Sequence, residues 1–280
     1  MFWAHRLRGL MVSLGLLAGV GCLQVLGLSE PRELRPVGEG GAGGGRPTYK
    51  SMILDADPVV YFDFEEEQGS FFDAVHGLEA VPSGDVQHVA SGVAGRAVAF
   101  APKAGTKLEI IEPTGQGAGP PGYLDFAGEV PMSVEVWVAT NDVSGFQGIV
   151  VKAMNEQGYS LGIQGMAGTD FGREVLFNRF DDGTSTTRVA RGPDGVTQLG
   201  VFHHIVVTFD GTKMRLWIDG IPGEETATAS EVSIADTSFP LAIGSLNGTN
   251  VLDGQLDELA IYDRALSDSE IANHYAAAVP

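Results

Sequence analysis

From about Ser51 onward the apolar residues recur at every second position, and a period of two restricts the chain to strands. Met132, Val134, Val136 and Val138 share one face of a run in which Glu135 and Trp137 share the other. His203–Asp210 and Lys213–Asp219 alternate in the same way, and Asp210–Gly211 between them is a hairpin turn signal. Asp219–Gly220 ends the second run, and Leu241–Gly244 and Leu256–Tyr262 are two more strands. Shorter strands are expected at Val59–Phe64, Ala97–Phe100, Lys107–Ile111, Gly148–Val151, Tyr159–Ile163 and Glu174–Phe180. With 39 glycines to supply turns and no long period of 3.6, the pattern predicts a sandwich or barrel and excludes alternating strand–helix units.

Helix signals cluster only at the end. Ser267–Asp268–Ser269–Glu270 is a capping box, and Ile271 and Tyr275 fall four apart on one face. A short helix from about Asp268 to Ala278 is therefore predicted to dock on the strands.

The first residues read differently. His5, Arg6 and Arg8 precede an almost wholly apolar run from Leu10 to Leu28, the order of an export signal. Three outcomes are open: cleavage, after Gly21 or near Gly27–Ser29; retention as a single membrane anchor with the basic end inside; or lipidation at Cys22, against which Gly19 stands where a lipobox prefers Leu. Residues 29–50 hold Pro31, Pro36, Pro47 and six glycines without an apolar period, and read as a flexible tether. The expected division is 1–28 signal peptide or anchor, 29–50 linker, and 51–280 folded domain.

A net charge of −19 repels phosphate backbones, so nucleic acid is not an expected partner, and any membrane contact is expected only through the N-terminal segment. Cys22 is the sole cysteine, which rules out an intrachain disulfide framework or a cysteine zinc site in the folded part. These features predict a secreted or cell-envelope protein that rests on its hydrophobic core.

Four segments together resemble a known family. Leu252–Asp253–Gly254–Gln255–Leu256–Asp257–Glu258–Leu259–Ala260–Ile261–Tyr262–Asp263–Arg264–Ala265–Leu266–Ser267, followed by Glu270–Ile271, resembles the closing motif of bacterial laminin G-like jelly-roll domains, of the concanavalin A-like lectin kind. Phe202–Gly211 with Arg215–Gly220 resembles their central hairpin, with Phe202 where Trp is common. Val60–Glu65 with Gly69 and Asp73 resembles the opening strand and loop, and Gly95–Phe100 the second strand. The resemblance spans about 220 residues. It implies an all-β antiparallel sandwich, a jelly roll with a short C-terminal helix. It also implies a structural calcium ion where the first and last strands meet, with Asp257 as the foremost ligand and Asp63 and Asp73 as further ones. A bland reading of Asp257 stands beside it: a carboxylate that accepts backbone amides at a strand end.

Sandwich hydrolases similar to this fold carry Glu-x-Asp-x-x-Glu on one strand, because glycoside hydrolysis needs two carboxylates across the scissile bond. That pattern is missing here. Asp257 and Glu258, as neighbours on a regular strand, point to opposite faces, and so do His203 and His204, read as one packed and one exposed histidine. No enzyme is expected. Sugars stack on flat aromatic faces, so the candidate ligand-binding residues are Trp217, Arg215 on the same strand face, Asn178 near a strand end and Asn247 in a loop; for Trp217 a place in the core is the competing reading. The expected function is an exported, non-catalytic binding module for a polysaccharide or glycoprotein. A structural or adhesion protein, and a degenerate hydrolase, are the alternatives.

Overall fold

The computed structural model describes residues 48–110, 112, 124–154, 157–165, 174–180, 187–192, 198–227 and 239–279. The first elements are α1 (Tyr49–Asp55), β1 (Val60–Phe62), β2 (Phe71–Phe72), β3 (Glu79–Ser83), β4 (Val86–Val89), β5 (Ala97–Phe100) and β6 (Lys107–Ile110). The long strands β7 (Met132–Thr140), β8 (Gly145–Met154), β9 (Gln157–Gly165) and β10 (Glu174–Phe180) follow, with β11 (Thr187–Arg191). The chain closes with β12 (His203–Phe209), β13 (Lys213–Ile218), β14 (Ile221–Pro222), β15 (Thr226–Ala227), β16 (Leu241–Ile243), β17 (Gly254–Tyr262) and α2 (Asp268–Ala278).

The strands form two antiparallel sheets. One runs β14-β13-β12-β7-β17-β5-β4, with β1 beside β17 and β15 beside β13; the other runs β11-β10-β9-β8-β16-β6-β3-β2. Their inner faces make one core: Met132, Val134, Val136 and Val138 of β7 meet Val175 and Phe177 of β10, Leu161 and Ile163 of β9, and Leu241 and Ile243 of β16. The expected antiparallel jelly-roll sandwich with a short C-terminal helix is the observed fold.

A second apolar cluster lies on the outer face of the nine-stranded sheet. Tyr61, Trp137, Val206, Trp217 and Tyr262 of the sheet pack there with Tyr49 and Ile53 of α1 and Ile271 and Ala278 of α2. Both helices thus cover one sheet. The box at α2 forms as expected: the Ser267 hydroxyl accepts from the Glu270 amide, and Glu270 accepts from the Ser267 amide.

The helix α1 corrects the expectation that helices occur only at the C-terminus. Its start lies inside the segment read as linker, and buried Tyr49 makes that end part of the folded domain. Thr48 caps it by accepting from the Ser51 amide, 3.2 Å away. The helix is only seven residues long, so its stability comes from Tyr49 and Ile53 under the sheet rather than from its own sequence.

The last strand changes partner along its length. On one side Gly254–Leu256 pair with Phe100–Val98 of β5, whereas Leu259–Ile261 pair with Phe62–Val60 of β1. On the other side β17 follows β7 throughout, but with a register shift between Asp257 and Ala260. One extra residue is inserted there, a β-bulge, and Glu258 takes φ 55° at that point. Because of the bulge, Leu256, Leu259 and Ile261 all reach the inner core.

Candidate functional site

The bulge builds a carboxylate cluster at the junction of the first and last strands. Asp257 and Glu258 are both buried, 0% and 2% exposed, on the outer side of the nine-stranded sheet. The expectation of opposite faces holds only for a regular strand, and the inserted residue removes it. Asp257 Oδ2 accepts from the Val93 amide at 2.7 Å and the Ala94 amide at 3.4 Å, while its Oδ1 is buried without a partner. Glu258 accepts from the Tyr61 hydroxyl. Glu65 closes the cluster by accepting from the Arg96 amide at 2.9 Å.

Two glycines let residues 92–96 wrap these groups. A Cβ on Gly92 would lie 2.0 Å from the Arg96 carbonyl and 2.5 Å from Asp257 Oδ2; one on Gly95, at φ 140°, would lie 2.2 Å from Glu65. Burial pushes both Asp257 and Glu258 well above the usual carboxylate range. For Asp257 the amides of Val93 and Ala94 oppose that push and the Glu65 charge adds to it; for Glu258 the charge of Asp257 adds to it and the Tyr61 hydroxyl opposes it. Burial likewise raises Glu65.

Of the three residues that the resemblance names for calcium, only Asp257 has a fully buried oxygen without a hydrogen-bond partner among the described residues. Asp63 pairs with Lys50 of α1. Asp73 accepts backbone amides on both oxygens, from Tyr61 at 2.6 Å, Val75 at 3.2 Å and His76 at 2.6 Å, and so fixes the turn after β2. Among the described residues, no three His, Cys, Asp or Glu side chains converge on one point that could hold a metal ion. Calcium also takes backbone carbonyls and water, so an ion here would be held by Asp257 and Glu258 and would need further oxygens from the main chain or water.

The four candidate ligand-binding residues separate onto opposite sides of the molecule. Trp217 is 4% exposed in the cluster beneath the helices and offers no open face to a sugar. The Arg215 guanidinium sits 5.4 Å from the Trp217 ring centre, donates to the Gly223 carbonyl at 3.2 Å and stands 3.8 Å from Asp268 of α2. These two residues serve helix–sheet packing. Asn178 lies on β10 of the other sheet, and Asn247 in the loop that follows β16 of that sheet. Along β10, Val175, Phe177 and Arg179 point inward while Leu176, Asn178 and Phe180 are half-buried on the outer face. Asn178 contacts the Ser160 hydroxyl at 3.3 Å, and Asn247, at φ 50°, donates to the Ala153 carbonyl at 3.0 Å. Ser160 pairs with Val151, and Ala153 is two residues farther along the same strand. Among the described residues no helix packs on this sheet.

The structure buries four polar residues, Glu135, His203, His204 and Arg179, in places that the sequence did not reveal. Glu135 is fully buried and receives hydrogen bonds from four different elements. His203 and His204 are both buried, not one packed and one exposed: His203 bonds Asp219 at 2.6 Å and accepts from the Gln198 amide, and His204 bonds Glu135 at 2.7 Å. Arg179 points into the core, 3.7 Å from the Phe209 ring centre, and donates to the Phe126 and Gly128 carbonyls. Burial lowers it to about 9.

A family model described as the concanavalin A-like lectin/glucanases superfamily matches residues 115–272, more than half of the chain. The chain belongs to that superfamily. No curated protein matches it by sequence. Similar solved structures include the binding domain of botulinum neurotoxin serotype G (12% identity, 79% of this chain and 51% of that one, TM-score 0.60). The binding domain of Paraclostridial Mosquitocidal Protein 1 is similar as well (15%, 79% and 52%, 0.60). So is the binding domain of botulinum neurotoxin DC in complex with rat synaptotagmin II (10%, 80% and 52%, 0.61). At these identities the likeness establishes the lectin-like sandwich and nothing finer, and the chain spans about half the length of those structures. A further structure of the same DC domain is in complex with SialylT.

Proposed function

We propose that the protein is an exported, non-catalytic binding module of the cell envelope that takes a polysaccharide or glycoprotein on the outer face of the eight-stranded sheet. The observation that supports this reading is the outer side of β10, where half-buried Leu176, Asn178 and Phe180 lie on a face that no described helix covers, with half-buried Asn247 in the loop after β16 as a further polar group. Asparagine side chains offer both donor and acceptor atoms to sugar hydroxyls, and half-buried Leu176 and Phe180 on the same strand add apolar surface. Neighbouring binding domains in complex with synaptotagmin and with SialylT support a fold suited to either kind of ligand.

Calcium in this reading is structural. The partnerless Asp257 oxygen and the two buried like charges favour a cation beside β17. Export rests on the basic-then-apolar N-terminus, which lies outside the described residues together with Cys22. Among the described residues no helix is long and apolar enough to cross a membrane.

A glycan array on the purified domain tests the binding face. Saturable binding that N178A/N247A weakens at least about tenfold, with an unchanged melting temperature, is the expected result. Binding that survives the double change moves the site elsewhere, and no binding to any glycan favours a structural or adhesive role. Melting with calcium and with EGTA tests the ion: an unchanged midpoint removes it.

A further inference from the structure

Glu135 is the one carboxylate among the described residues that accepts hydrogen bonds from both α1 and α2. Its Oε1 accepts from the Tyr49 hydroxyl of α1 at 2.9 Å and from His204 Nε2 of β12 at 2.7 Å. Its Oε2 accepts from the Tyr262 hydroxyl of β17 at 3.0 Å. His274 Nδ1 of α2 lies 2.9 Å from Oε2 and 3.2 Å from Oε1. Glu135 and His204 are 0% exposed and His274 is 3% exposed. A fully buried carboxylate is costly unless it is hydrogen-bonded and its charge is met. Here the hydrogen bonds come from four elements, and two of those elements are the helices.

We infer that Glu135 and His274 form a latch that joins α1 and α2 into one docking unit, tightened while His274 carries its proton and loosened when it loses it. The titratable groups around the pair come from each packed element: His204 of β12, Tyr262 of β17 and Tyr49 of α1 bond the Glu135 carboxylate that His274 meets, while Glu270 on its own helix and Arg264 in the preceding turn act on His274 through their charges. Burial alone would lower the His274 imidazolium, but the Glu135 bond and charge outweigh burial and raise it. For Glu135 burial would raise the carboxyl, and the bonds from His204 and then His274 hold it well below the ordinary range. The sign follows. A histidine raised in the folded state stabilises docking fully below its unfolded pKa, and that share is lost as pH climbs through the raised folded value. Glu135 stays ionised across this window, so the latch slackens on the alkaline side and not on the acid side. Two stacked rings report on it: Tyr275 of α2 lies 5.9 Å from both Trp137 and His204.

Hydrogen exchange of the intact protein between pH 6 and 9.5, corrected for intrinsic rates, tests the latch. Protection of residues 49–55 and 268–278 should fall together, by about tenfold, while β12 and β13 hold theirs, because a charge-assisted hydrogen bond is roughly twice as strong as a neutral one. H274Q keeps a donor but no charge, and should show the low, pH-independent protection in both helices at pH 6. Protection that does not change with pH, or α2 loosening while α1 stays fixed, would overturn the proposal. If H274Q is too unstable to fold, the pH series on the wild-type chain still decides.

Discussion

Tyr61 of the first strand and Glu258 of the last, 197 positions apart, are joined by a hydrogen bond from the phenol hydroxyl to the buried carboxylate. The bond seals a site in which Glu258 lies beside the buried carboxylate of Asp257. Gln at 258 keeps an acceptor for Tyr61 and removes one charge. In EGTA at pH 7.5 to 8, E258Q should therefore melt higher than wild type, by a few degrees for ~1–2 kcal/mol. Carboxylates raised in the folded state stabilise it at low pH and lose that share as pH rises, so the gap should close toward pH 4. A wild-type midpoint that stays level from pH 4 to 8 in EGTA would sink this account.

Trp217 is packing, so its removal should act on the fold. W217A should cost about 3–5 kcal/mol in urea unfolding, the range for a large buried aromatic. Selective loss of ligand binding with normal stability would show instead that the indole is reachable.

Among the described residues Arg179 has no carboxylate partner, and it holds the main chain at Phe126 and Gly128 through one nitrogen. Lysine can neither bond both carbonyls from a planar group nor stack on Phe209. R179K should lower stability by ~1–2 kcal/mol and raise hydrogen exchange at residues 126–130.

At Gly95 both the positive φ and the contact with Glu65 exclude a side chain. G95A should destabilise by ~2 kcal/mol or more. Its crystal structure should show residues 92–96 lifted from Asp257, and calorimetry with calcium would then reveal whether that loop contributes to an ion site.

The fold was largely legible because period two and Asp–Gly turns are local signals, and β5, β10 and α2 run over the expected residues. The bulge was readable only indirectly. The spacing from Leu256 to Leu259 breaks the alternation, yet which residue is inserted depends on β7 opposite. Glu135 was hidden for a similar reason. A glutamate at an outward position is ordinarily solvated, and nothing within its own strand reveals that helices from both ends of the chain will cover it. Helix α1 was hidden because it follows a glycine-rich run and has no acidic residue in its first turn. Asn178 and Asn247 were legible as polar residues near a strand end and in a loop, but their places beside Ser160 and Ala153 required the register of β8, β9 and β10.

The last strand is bonded to β1, β5 and β7 at once. A chain still being made therefore lacks the piece that joins its beginning to its middle until residues 254–262 have emerged. Pairing across so much sequence is slow and late. The polypeptide stays open for nearly its whole length, with three strand edges waiting, and closes only when its final segment arrives. Any truncation before Gly254 should yield an aggregating fragment rather than a smaller domain.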